Sequence, residues 1–95
     1  MMVKTFMRMM EEIKMKILKF YTPTCMSCKF LGKLLDNLEG VEIIPVDATE
    51  DLGRVDEYNI CTTPTLVFLN EEDKEVSRIE GMTTLNKVKE ILDNN

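Results

Sequence analysis

The order of hydrophobic segments predicts an α/β fold: a four-stranded mixed sheet flanked by helices on both faces, in the order α-β-α-β-α-β-β-α. Three observations carry that reading. Strand-like runs alternate with helical patterns from residue 15 to residue 69. Residues 15–47 form a β-α-β unit, which places two parallel strands side by side through a right-handed crossover. The last two strand-like runs are joined by a short polar turn and pair as a hairpin, so the sheet is mixed. With no internal repeat, linker or low-complexity stretch, residues 1–95 read as one domain.

Taken in order, Val3, Phe6, Met7, Met10 and Ile13 recur at spacings of three and four, a helical pattern with Lys4, Arg8, Glu11 and Glu12 opposite. Six of the eight methionines lie within residues 1–15, and Met15 could itself start a shorter chain, so residues 1–14 read as an N-terminal helix or an extension. Residues 15–21 make the first strand, apolar on both faces like a strand covered on both sides. A helix from about Met26 to Leu38 carries Phe30, Leu31, Leu34, Leu35 and Leu38 as its apolar stripe and ends at Gly40. Val41–Asp47 is the second strand, and Pro45 places it at or near an edge. Thr49 is the expected N-cap of a short helix running to about Tyr58, with Glu50 and Asp51 in its first turn. Thr65–Leu69 is the next strand, Asn70–Asp73 a polar turn, and Glu75–Glu80 an alternating, half-buried strand. Gly81 breaks that strand, and Thr83 or Thr84 caps a last helix with apolar positions Leu85, Val88, Ile91 and Leu92.

Composition narrows the function classes. A 44% hydrophobic share is ordinary for a globular chain, and a net charge of −5 argues against nucleic-acid binding. No stretch is long and apolar enough to span a bilayer, so no membrane role is expected. Charged residues interrupt the Met-rich start, and no small-residue cleavage site follows it. Three cysteines do not make a secreted disulfide framework, and a reducing, cytoplasmic compartment is expected. Histidine is absent, which removes the commonest general base and the commonest zinc ligand.

The chemistry concentrates in Phe20-Tyr21-Thr22-Pro23-Thr24-Cys25-Met26-Ser27-Cys28-Lys29-Phe30. A strand ends, Pro23 breaks it, and a helix begins at once. Cys25 therefore falls at the first turn, where unpaired N–H groups and the helix dipole favour a thiolate over a thiol. The helix brings Cys28 back within bonding reach, giving a dithiol/disulfide couple within one turn. Zinc sites use the same spacing, but position in a strand–turn–helix unit favours redox chemistry.

These residues, together with Thr63-Pro64-Thr65-Leu66 opening a later strand and Gly81 before the last helix, resemble the thioredoxin family over residues 15–95. The resemblance implies a thioredoxin-like fold and a protein-disulfide reductase whose redox group is the Cys25–Cys28 disulfide, with no other cofactor and no metal. It makes Cys25 the attacking cysteine and Cys28 the resolving one. Pro64 matches the family's cis proline, and Thr24, Met26, Thr62, Thr63, Gly81 and Met82 line a shallow groove in which the Thr63 backbone pairs with an extended substrate. The implied partners are disulfide-containing substrate proteins and a thioredoxin-reductase-type electron donor, acting on a monomer. From the residues alone, Pro64 reads instead as an ordinary trans proline opening a strand, since cis is the small minority state of such bonds.

The chain also departs from the family pattern. The usual Trp-Cys-Gly-Pro-Cys is here Thr24-Cys25-Met26-Ser27-Cys28, the family's buried aspartate falls at Lys19, and the family's first strand is missing. Lys19 either reaches water or sits near the dithiol and stabilises a thiolate by charge. Cys61 is either an unremarkable small residue or a third reactive thiol. Three rival functions stand beside the reductase: a glutaredoxin-like enzyme using glutathione, a metal or iron–sulfur module using Cys25, Cys28 and Cys61, and an interaction protein whose dithiol is incidental.

Overall fold

A computed structural model describes residues 15–95. The expected N-terminal helix lies outside these residues. Within them the elements are β1 (Met15–Tyr21), α1 (Met26–Leu35), β2 (Val41–Asp47), α2 (Leu52–Glu57), β3 (Thr65–Leu69), β4 (Glu75–Glu80) and α3 (Leu85–Asp93). The strands form one sheet in the order β2-β1-β3-β4. β1 runs parallel to β2 and antiparallel to β3, and β3 pairs antiparallel with β4. The mixed α/β sheet is therefore the one the sequence predicts, with β2 at an edge where Pro45 costs no ladder bond.

The alternation of β1 sorts its side chains between two cores. Met15 and Ile17 join Leu66 and Phe68 under α1 and α3, where Leu31, Leu35 and Val88 complete a buried cluster. Leu18 and Phe20 join Val46, Val67 and Leu69 on the other face, covered by Val55, Tyr58 and Ile60 in and after α2. β3 is buried along its whole length, as a strand with neighbours on both sides and helices on both faces must be. Arg78 ties β4 to the second face: its guanidinium grips the Glu75 carboxylate, at 2.6 Å, and donates to the Tyr58 carbonyl at 2.8 Å. That hydrogen bond holds the Glu75 carboxyl below its ordinary range.

Four local details differ from the sequence reading. α1 ends at Leu35, because Asn37 and Leu38 turn back onto Leu34 and Leu35 through tighter i→i+3 bonds; Leu38 still packs on the core. Phe30 is not part of the buried stripe but is 59% exposed. The cap of α2 is Asp51, which accepts from Arg54 N–H at 3.1 Å, whereas Thr49 is held by the Asp47 carboxylate through its own N–H and hydroxyl. Val76 on the edge strand β4 is exposed rather than half-buried. Of the two candidate caps for the last helix, Thr84 is used, accepting from Lys87 N–H at 3.2 Å.

Candidate active site

The register places three loops at one end of the sheet. Phe20, near the end of β1, pairs with Thr65 at the start of β3, and Thr65 pairs with Glu80 at the end of β4. The Thr22–Cys25 turn, the Thr62–Pro64 turn and Gly81 must then meet there. A backbone bond from Gly81 N–H to the Pro64 carbonyl, 2.8 Å long, joins the last two. Gly81 has φ +88°, a conformation that a side chain disfavours, so the requirement here is backbone freedom and not space.

Thr22 closes the first loop by accepting from Cys25 N–H at 3.1 Å, and α1 begins one residue later. Cys25 is itself the N-cap. Its sulfur accepts from Cys28 N–H at 3.1 Å and lies 3.3 Å from the Ser27 hydroxyl. Cys25 and Cys28 are bonded as a disulfide, so this sulfur stands where the thiolate of the reduced form would be. Both donors, the orphan amides of the first turn and the helix dipole then act on a negative charge. No acidic residue lies in that turn to oppose it. Cys25 is partly exposed while Cys28 is 3% exposed, so of the two sulfurs Cys25 is the one a large substrate can reach.

The residues around the disulfide divide clearly. Thr24 is exposed, as are Met26 at 75% and Met82 at 44%, large apolar groups beside the cysteine turn and beside Gly81. The Thr63–Pro64 bond is cis and Pro64 is buried. Thr65 Oγ1 donates to the Thr62 carbonyl at 2.7 Å, holding this turn, and the Thr63 backbone has no backbone partner among the described residues. Cys61 stands apart: it is exposed, and its thiol faces the Asn59 carbonyl at 3.6 Å. Among the described residues no group of three His, Cys, Asp or Glu is arranged to hold a metal.

Behind Cys28 lies a hollow of about 270 Å³, whose walls include Lys19, Tyr21, Cys28, Lys29 and Pro45. The Lys19 ammonium reaches over α1 at Gly32 and lies 5.8 Å from the Tyr21 ring centroid. The sequence reading missed Ser27 and Gly32. A glycine inside a helix, at a cost of about 0.5–1 kcal/mol relative to Ala, was the available signal for the second.

The comparisons with known proteins agree with this geometry. A thioredoxin family model matches residues 1–94. A protein disulfide isomerase-like protein of Oryza sativa subsp. japonica is 29% identical over 79 residues, 76% of this chain but 22% of that protein. A Schizosaccharomyces pombe protein carrying a protein disulfide-isomerase description is 39% identical over 75 residues, and the chain spans only 15% of its length. A Staphylococcus epidermidis thioredoxin is 24% identical over 87 residues, 86% of this chain and 83% of the relative. Among solved structures, a Halobacterium salinarum thioredoxin mutant superposes with a TM-score of 0.78 at 18% identity, over 90% of this chain and 77% of that one, a likeness of fold. Since the family model covers the chain almost from end to end, this chain belongs to the thioredoxin family.

Proposed function

We propose that the chain is a thiol–disulfide oxidoreductase that reduces disulfides in proteins. The observation that carries this reading is Cys25, partly exposed, with its sulfur met by two hydrogen-bond donors at the head of α1. In the reduced form the Cys25 thiolate attacks one sulfur of a substrate disulfide, and the substrate's other sulfur leaves as a thiolate. Cys28, held within bonding distance, then attacks Cys25, restores the intramolecular disulfide and releases the second substrate sulfur. The substrate segment lies along Thr62, Thr63 and Pro64, with the Thr63 backbone, unpaired among the described residues, as its strand partner and Thr24, Met26, Gly81 and Met82 as the rim. A reductase of the thioredoxin-reductase type restores the dithiol of a monomeric, cytoplasmic chain, and the dithiol itself is the only redox group needed.

Insulin reduction tests this. With dithiothreitol as the electron source, the chain should precipitate insulin well above the dithiothreitol-only rate, and a thioredoxin reductase with its nucleotide should replace dithiothreitol. Turnover with glutathione and glutathione reductase alone would favour the glutaredoxin-like reading. No acceleration with any donor would refute reductase activity.

A further inference from the structure

The hollow behind Cys28 has a polarity that the disulfide chemistry above does not use. Its ionisable wall residues are Lys19 and Tyr21 from β1 and Cys28 and Lys29 from α1; β2 contributes Pro45, and none of its lining residues is a carboxylate. Leu66 of β3 stands in register with Lys19, and α3 brings Val88, Ile91 and Leu92 to this face, all without charge. Asp47 of β2, in register with Tyr21, already accepts from the Thr49 N–H and hydroxyl. Among the described residues no carboxylate lies within ion-pair distance of Lys19, whereas Lys16 on the opposite face has Asp73 at 2.8 Å.

Gly32 explains how the ammonium reaches this position. A Cβ built there would sit 3.0 Å from Lys19 Nζ, so the absence of a side chain leaves the notch the ammonium occupies. Gly32 lies four residues after Cys28, one turn along the same helix. Lys19 and Cys28 therefore line one hollow, with the ammonium held at the turn of α1 that follows Cys28.

We propose that Lys19 is a positioning residue for the resolving step, its ammonium stabilising the thiolate form of Cys28 as it attacks the mixed disulfide. The inference rests on the oxidoreductase reading. In that step the Cys28 thiol releases its proton to solvent, since a charged lysine cannot accept one. The thiolate forms the Cys28–Cys25 bond as the Cys25–substrate bond breaks, and the departing substrate thiolate takes a proton from water. Two thiols become one disulfide while the substrate disulfide becomes two thiols, with no other redox partner.

The test uses the full chain with Cys25→Ser and Cys61→Ser, so that Cys28 is the only thiol, and follows thiolate absorbance against pH. Removing the charge with Lys19→Met or Lys19→Gln should raise the Cys28 midpoint by about one pH unit, the lower end of what a close opposite charge produces. In the chain with all cysteines present, resolution of a preformed mixed disulfide near neutral pH should slow about threefold, a tenfold smaller thiolate fraction partly offset by its greater nucleophilicity. Thermal melts identify the variant that stays folded, and either one suffices. A midpoint that stays put, or falls, in a folded neutral variant overturns the proposal. Failure of the oxidoreductase reading looks different: the parent chain would not reduce insulin, yet its Cys28 midpoint would still respond to residue 19.

Discussion

Cys28→Ser should turn the chain into a trap that accumulates substrate as a mixed disulfide on Cys25, while Cys25→Ser should reduce turnover to the uncatalysed background. The asymmetry follows from position. Cys25 caps α1, is partly exposed and has two donors at its sulfur; Cys28 sits one turn on and is 3% exposed. A serine at 28 keeps the helix but cannot displace a sulfur from Cys25, so the first covalent step goes forward and the second does not. Exposed Cys61 could form adducts of its own, so the comparison belongs in a Cys61→Ser background. Intact-mass analysis should then show one adduct per chain, located on Cys25 by peptide mapping and released by dithiothreitol. No adduct, or a Cys25→Ser chain that still turns over, would mean that the order of attack assigned here is wrong.

Phe20→Ala should cause the largest loss of stability among single core truncations near the site. Phe20 is fully buried, packs with Leu18, Val46, Val67 and Leu69, and meets the Tyr58 ring edge-on with centroids 6.0 Å apart. Removing a buried phenylalanine costs about 3–5 kcal/mol, against total domain stabilities of about 5–15 kcal/mol. In a domain of this size each 1 kcal/mol moves the melting midpoint by about 4–8 °C, so a fall of at least about 12 °C is expected. The same residue stands two positions before Thr22, so the cysteine turn loses support as well. Val76→Ala, at an exposed position of the edge strand β4, should change stability by no more than about 0.5 kcal/mol. A Phe20→Ala chain that melts within a few degrees of the parent would show that this second core is not what holds β1 and α2 together.

The parts of the fold legible in the sequence are those where one physical signal acts alone. β1, β2 and β3 keep their expected boundaries because apolar β-type runs there are cut by Pro23, Gly40 and Pro64. Thr65 to Glu80 reads as a hairpin because the intervening residues are polar; in the structure the Asn70 side chain accepts from the Glu72 and Lys74 N–H groups. Where several residues suit one local role, sequence pattern is weaker. Asp47, Thr49 and Asp51 all suit helix entry, and only the geometry decides that Asp51 caps while Asp47 binds Thr49. Leu38 continued the apolar spacing of α1 past its last helical turn, because it reaches the core from a turn. Phe30 shows the same limit: periodicity cannot say where an apolar stripe ends and an exposed rim begins.

The site was legible to a similar degree. The helix-start position of Cys25 follows from the strand-breaking Pro23 and the helical pattern after it, and Cys28 follows from the helical repeat. What spacing could not supply is the third dimension. Lys19 and Gly32 are thirteen positions apart in sequence, and only the packing of α1 on β1 places an ammonium in a glycine notch behind the buried sulfur. Cys61, close to Pro64 in the chain, is exposed and separate from the couple.

The most direct test of reversible dithiol exchange is the equilibrium between the Cys25–Cys28 dithiol and its disulfide across a series of glutathione redox buffers, read by alkylation and intact mass. The account predicts one reversible two-electron transition in which both cysteines gain and lose protection together. Its midpoint should lie on the reducing side of the cytosolic glutathione pool, as a protein-disulfide reductant requires. A chain that shows no reversible transition, or in which the two cysteines titrate independently, would contradict it.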